Sequence, residues 1–298
     1  MALPGAIARL LLSEPGSVRF SGSVLELGRQ KMLFSYSQLR RWTQSPRWEP
    51  RLQALRAKTQ KTYAVSDDSI NDVEFLQFLG FDRVLSCDAS RYEQADFTWD
   101  LNLPAPLEFH GVFDAVLDGG TMEHIFSVPS VLSNIHRLLK IGGYAIHIAP
   151  ASNLVDHGFY SFSPTFFSDY YSANNYRIAR IYFFECFDWT SEWSLYDYSA
   201  GCLDDRWGKI ANTKKAGVFC IVQKTAASTC NVVPTQSYYS RLWQNARATT
   251  QPSAYAKLKR AFFRNAPGCA EFLYWARSFA WRMPPYRRRS LPPLAGKF

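Results

Sequence analysis

From about residue 20 to residue 224 the chain alternates short apolar runs with segments of helical spacing. Most of the runs stop on an acid or a glycine. SVLELG (23–28) is apolar and ended by Gly28, the pattern of a strand buried on both faces. DVEFLQFLGF (72–81) places Val73, Phe75, Leu76 and Leu79 at helical spacing, with Gly80 as its stop. RVLSCDAS (83–90) reads as a strand ending in Asp88, and FDAVLDGG (113–120) as a third, followed by two glycines. PSVLSNIHRLLK (129–140) predicts a helix stopped by Gly142-Gly143, and YAIHIAP (144–150) predicts a strand. Ser163-Pro164 open a further helix, with serine as cap and proline in the first turn. RIARIYFFE (177–185) and AGVFCIVQKT (216–225) complete the series as strands. Strands separated by single helices imply an α/β fold, a mostly parallel sheet with helices on both faces.

In such sheets ligands bind beyond the carboxyl ends of the strands. This reduces the chain to a short set of residues: Glu26 and Gly28, Asp88, Asp100 with Asn102, Asp118, Gly119, Gly120, Glu123 and His124, then Asn153, Asp156 and His157. A carboxylate at the end of the second strand can accept both hydroxyls of a ribose, and a nearby acid or amide can take an adenine amino group. Each acid alone is explained equally by a helix cap or a solvated turn. Their shared position at strand ends favours a binding cleft.

The stretch FDAVLDGGTMEHIFSVPSVLSNIHRLLKIGGYAIHIAP resembles the second half of a class I S-adenosylmethionine-dependent methyltransferase of the small-molecule branch. The resemblance lies in the E-H pair after one strand and the R-L-L-K-x-G-G helix end before the next. It runs on through HGFYSFSPTFFSDYY and covers about residues 20–224. LGRQ, CDAS…YEQADFTWDLN, DGGTMEHIF and HGFYSFSP together are similar to a bacterial subgroup of poorly defined substrate. That resemblance points to a saccharide or saccharide-lipid acceptor in surface-polysaccharide biosynthesis. It implies a Rossmann-like, doubly wound, seven-stranded sheet and S-adenosylmethionine as cofactor. Carried over by position, Glu26 and Gly28 correspond to the acid and first glycine of the cofactor loop, and Asp88 to the ribose acid. Asp100 with Asn102 falls near adenine, Asp118 and Gly119 face the methionine part, and Glu123 and His124 line the reaction cleft.

The loop departs from the pattern, because Arg29, Gln30 and Lys31 stand where further glycines are usual. An inward side chain there either weakens cofactor binding or rotates the loop and presents a cationic donor such as Arg29. Segment 33–66 carries Arg40, Arg41, Arg47, Arg51, Arg56, Lys58 and Lys61. It reads as a solvated helical insertion or as a basic lid over the cleft.

An alcohol acceptor needs a base, and histidine suits neutral pH. His124 and His157 both follow strands, so either serves as base, with Glu123 orienting a histidine or a substrate hydroxyl. His124 as a plain helix cap is the competing reading. His110, His136 and His147 fall before a strand, within a helix and within a strand, which makes them structural or solvated. Tyr160 and Phe162 form an aromatic wall for a sugar ring or belong to the core.

Charge separates the chain into parts. Residues 225–298 hold 12 of the 34 Lys and Arg and one of the 25 acids, leaving 22 basic against 24 acidic residues before them. That balance, with no DPPY- or NPPY-like motif, argues against nucleic acid as a partner. The expected organisation is an N-terminal arm or helix (1–19), a methyltransferase-like domain (20–224) and a basic, aromatic C-terminal helical extension (225–298). The extension suits an interfacial helix on an anionic membrane at its inner face, or a helix docked on its own domain. The first residues have no cleavage site and no apolar run nears the roughly 20 residues of a membrane span, so a cytoplasmic protein is expected. The six cysteines form no CxxC pair and no metal-like grouping with histidine, so free thiols and no metal are expected. The alternative to an enzyme is a methyltransferase-like protein without catalysis that binds a nucleotide, a glycan or a partner protein.

Overall fold

The computed structural model describes residues 2–14, 18–62, 68–202, 213–248 and 294–297. Eleven strands and seven helices occur among them. Strands β2 (Ser23–Leu27), β4 (Arg83–Asp88), β5 (Phe97–Thr98), β6 (Phe113–Asp118) and β7 (Leu139–Ser152) run parallel as neighbours in the order β5-β4-β2-β6-β7. Beyond β7 come β10 (Lys215–Gln223), antiparallel to both neighbours, then β8 (Arg177–Cys186). The edge is extended by β9 (Ser194–Asp197) and β11 (Leu294–Lys297). The sheet therefore has nine strands rather than seven, because two short antiparallel strands cover the edge that β8 would otherwise expose.

Successive side chains along each strand divide between two cores, as the two-residue strand period requires. Val24, Ala115, Leu117, Ile146, Phe219 and Ile221 face α1 (Gly5–Ser13) and α4 (Asp72–Leu79). Leu25, Val116, Ala145, Val218, Cys220 and Val222 face α5 (Val128–Leu138) and α6 (Pro164–Ala173). Helices thus lie on both faces, as expected.

Within the N-terminal segment, Gly5–Ser13 form a helix packed on the sheet. Ile7, Leu10 and Leu11 of α1 are buried in the main core, and β1 (Ala2–Pro4) pairs in parallel with β3 (Lys31–Leu33). Segment 33–66 forms α2 (Tyr36–Trp42), a 3-10 turn (Pro46–Trp48) and α3 (Glu49–Thr62). It packs on α4: Trp48 stacks on Phe78 at 5.2 Å, and Arg51 Nη1 donates to the Phe78 and Leu79 carbonyls at the helix end. At its other end α4 carries a capping box, Asn71 Oδ1 accepting from Glu74 N and Glu74 Oε2 from Asn71 N.

Helix α5 ends at Leu138, and Gly142-Gly143 lie within β7 rather than stopping the helix. Ser163 caps α6 as expected, accepting from Thr165 N. Residues 225–236 stay attached to α6: Asn174 Oδ1 accepts from Val232 N and Thr229 Oγ1. Helix α7 (Ser237–Ala248) follows, its first N–H donating to Asp169 Oδ2 at 2.7 Å. The basic aromatic segments proposed for a membrane surface fall within residues 249–293, outside the described residues, as does Cys269. The other five cysteines are free. No helix among the described residues is long and apolar enough to cross a membrane.

Candidate functional site

The turn after β2 begins at Gly28, whose φ of 72° lies in the left-handed region that glycine adopts without strain. Its N–H donates to the Cys87 carbonyl at 2.7 Å, which ties the turn to β4. Arg29 then leaves the cleft. Its Nε lies 2.9 Å from Asp72 Oδ2, and Nη1 donates to the Gln94 carbonyl at 2.9 Å. Its guanidinium is spent on structure and offers no free cationic donor to a ligand.

Gln30 goes the other way. Its side chain is buried, Nε2 donates to the Gly28 carbonyl at 3.0 Å, and Oε1 has no partner among the described residues. It lies so close to Gly119 that a Cβ there would sit 2.6 Å from Oε1. Lys31 is exposed and opens β3, so no helix starts at this turn. Sequence patterns missed the inward Gln30, since nothing in LGRQKM tells which of three polar side chains turns in.

Glu26 is fully buried beside Asp72, and neither of its carboxyl oxygens meets a donor among the described residues. Burial, then the nearby Asp72 carboxylate, pushes its pKa well above the ordinary carboxylate range. The native state therefore keeps a proton that the unfolded chain gives up above about pH 4.3. Stability falls as pH rises through that window toward the raised value. Glu26→Gln removes this dependence. Its melting temperature relative to wild type is expected to be higher at pH 8 than at pH 5, and an equal difference at both would refute the buried-acid account.

Asp88 ends β4 half-buried. Its Oδ1 accepts from Ser90 N at 3.2 Å, and no bond to Oδ2 is found among the described residues. Asp100 is exposed and closes its own turn, accepting from Asn102 N at 2.9 Å and Nδ2 at 2.7 Å, which hold its pKa below the usual range. Asn102 Oδ1 accepts from Ser127 N, joining this turn to the start of α5. Asp100 and Asn102 thus bond to each other and to the chain, and they rim the same strand-end edge as Asp88.

At the end of β6, Asp118 requires a correction. Expected to face the cofactor, it is instead fully buried and saturated. Oδ1 accepts from Thr121 N at 3.0 Å and Met122 N at 3.1 Å, and Oδ2 lies 2.8 Å from Nδ1 of His147. His147 Nε2 in turn lies 2.6 Å from the Tyr171 hydroxyl. The carboxylate fixes the 3-10 turn Met122–His124, and the Thr121 hydroxyl donates to the Leu27 carbonyl, which ties this turn to the end of β2.

That turn presents Glu123 and His124, and His157 comes from the loop after β7. Nε2 of His157 lies 3.6 Å and Nε2 of His124 4.0 Å from Glu123 Oε1, and the two rings are 5.1 Å apart. Glu123 is 1% exposed and the imidazoles are about 40% exposed, at 39% and 44%. Burial and the nearby Asp118 push the Glu123 pKa up to about 8. Burial and the facing His157 lower that of His124. The three residues line a pocket of about 140 Å³ with Gly119, Gly120, Leu33 and Trp189. The other histidines lie elsewhere: His110 Nε2 is 3.1 Å from the Ala105 carbonyl, and His136 Nδ1 is 2.7 Å from the Tyr176 hydroxyl. Phe162 is buried in the core and the Tyr160 hydroxyl donates to the Phe126 carbonyl. Both border a second, apolar groove against Pro129 and Val233 instead of the histidine pocket.

No protein-family profile matches the chain, and no curated protein matches it. Among solved structures, the chain is similar to the Burkholderia thailandensis 1,6-didemethyltoxoflavin-N1-methyltransferase with bound 1,6-didemethyltoxoflavin and S-adenosylhomocysteine. The two are 12% identical over 74% of this chain and 80% of that one, with a TM-score of 0.36. A SAM-dependent methyltransferase from Archaeoglobus fulgidus is 13% identical over 73% and 93% of the two chains, with a TM-score of 0.38. One from Methanosarcina mazei is 11% identical over 71% and 96%, with a TM-score of 0.34. Likenesses this distant assign no activity.

Proposed function

We propose that this chain is an S-adenosylmethionine-dependent methyltransferase acting on a small-molecule or saccharide-type acceptor. The observation that carries the reading is Asp88, a half-buried carboxylate with an uncommitted oxygen, one strand from the left-handed Gly28 turn. The residues present fit the cofactor in two places. Asp88 suits the two ribose hydroxyls, and the orphaned Oε1 of Gln30 is a buried acceptor suited to an ammonium group. When bound, S-adenosylmethionine supplies an electrophilic methyl group on a sulfonium. The chain's own part is to position the acceptor beside it and to take the acceptor's proton.

Glu123, His124 and His157 are the polar wall of the pocket at the ends of β6 and β7. An imidazole of this pair receives the proton, with the Glu123 carboxyl beside both rings. Trp189 also lines the pocket, backed by the fully buried Trp193, and an apolar aromatic face of this kind suits a sugar ring. A saccharide or glycolipid acceptor in surface-polysaccharide synthesis, handled in the cytoplasm, fits that wall.

A second reading draws on Gln30, whose side chain packs on Gly119 where the methionine part is expected. On that reading the fold is kept without catalysis, as a binder of a nucleotide, glycan or partner. Calorimetric titration with S-adenosylmethionine separates the two. Saturable micromolar binding is expected, and no heat at millimolar cofactor, with sugar nucleotides present as acceptors, would leave the second reading standing.

A further inference from the structure

Glu123, His124 and His157 converge in a way that a base and its orienting acid do not. Both Nε2 atoms point at the same carboxylate oxygen, at 3.6 Å and 4.0 Å, each too long for a hydrogen bond. One donor atom from each residue lies within 4.8 Å of the other two. First-row cations bound by imidazole and carboxylate have metal–ligand distances of about 2.0–2.2 Å, which separates tetrahedral ligand atoms by about 3.3 Å. From 3.6 Å and 4.0 Å the two imidazole–carboxylate separations close to that spacing by about 0.3 Å and 0.7 Å, and no pair of the three has to close by more than about 1.5 Å, within reach of side-chain rotation.

A second observation points the same way. The other oxygen of Glu123, Oε2, is buried with no hydrogen-bond partner among the described residues. An acid set in that position for hydrogen bonding alone leaves one of its strongest acceptors unused.

A third is the rigidity of the placement. The Glu123 carbonyl accepts from Phe159 N at 2.8 Å and from Tyr160 N at 3.3 Å. Gly158 packs so near that a Cβ would lie 2.8 Å from that carbonyl oxygen. The loop bearing His157 is thereby clamped to the turn bearing His124. Asp118 fixes that turn from beneath through Thr121 N and Met122 N. Backbone ties of this kind hold ligands at fixed separation before an ion arrives.

We propose that Glu123, His124 and His157 bind one divalent transition-metal cation of the zinc or cobalt type. Two imidazoles and one carboxylate favour such ions over magnesium or calcium, which prefer oxygen donors throughout. Three protein ligands leave coordination positions open toward the pocket, where an acceptor oxygen can sit. The ion site stands on these three residues whether or not S-adenosylmethionine binds. Only the acceptor's place at the ion rests on the methyl-transfer reading, and with an ion bound the two imidazoles act as ligands in place of the base role.

The test uses the full-length protein, stripped with chelator and dialysed, and titrated with Co2+ while visible absorption is recorded. One equivalent is expected to give a saturating d–d spectrum, displaced by Zn2+. His124→Ala and His157→Ala, both at partly exposed positions, are each expected to weaken Co2+ binding at least about tenfold. Glu123→Gln should do the same, with near-ultraviolet circular dichroism confirming that each variant is folded. Failure to saturate near one equivalent would overturn the site, as would histidine variants that bind like wild type. S-adenosylmethionine titrated into the metal-free protein reports on the methyltransferase reading separately.

Discussion

Asp88→Ala is expected to weaken S-adenosylhomocysteine binding by about a hundredfold while the fold stays intact. Two charge-assisted hydrogen bonds from a ribose diol contribute roughly 1.5–3 kcal/mol each, and a loss of about 3 kcal/mol is about a hundredfold in affinity. The native chain draws little on this carboxylate. One bond from Ser90 N is its only tie among the described residues, and the strand is held by β2 and β5 through backbone pairing. Melting should therefore shift little, because a half-exposed position with a single local bond is a tolerant one. Asp88→Asn, which keeps one acceptor, should lose less affinity than alanine. Calorimetry with wild type and both variants decides it. If wild type binds and Asp88→Ala binds equally, the nucleoside does not lie over β4, and the cleft must be read from the histidine pocket alone.

The order of strands and helices was legible because each apolar run carries its own stop: Gly28 after β2, Asp88 at the end of β4, Gly80 after α4, Ser163-Pro164 before α6. What escaped depends on residues far apart in the chain. Asp118 looked like a cleft acid, and only the partner 29 residues on, His147 in the next strand, shows that its charge is consumed inside the sheet. Arg29 looked like a ligand donor until Asp72, 43 residues away, claimed it. Two edge strands were missed because β9 is four residues with no apolar periodicity, and β11 lies beyond a long stretch of basic and aromatic residues. Gly142-Gly143 signalled a helix stop, yet Leu139 already has extended backbone, Gly142 takes a left-handed φ of 87° and Gly143 packs closely on the Asp114 carbonyl. His124, Glu123 and His157 were picked by position alone, and the structure brings those three together.

The buried chain beneath them is where a single substitution should cost most. Asp118, His147 and Tyr171 are at most 1% exposed, and the links between them are 2.8 Å and 2.6 Å. His147→Leu fills much of the same space but leaves the Asp118 Oδ2 and the Tyr171 hydroxyl without partners in the core. Removing one partner from a buried hydrogen-bonded network that includes a carboxylate costs about 3–5 kcal/mol, chiefly from the polar groups left unpaired. For a chain of this size that corresponds to a melting temperature lower by on the order of 10 °C. The cost is not additive with loss of the acid. In a Asp118→Ala background, His147→Leu should cost far less than alone, since no stranded carboxylate remains. Equal cost in both backgrounds would mean that the chain acts as separate packing contacts and not as one network. The same experiment reaches the site above. Asp118 also receives Thr121 N and Met122 N, so its loss should loosen the Met122–His124 turn and weaken Co2+ binding even though Asp118 touches no ligand atom.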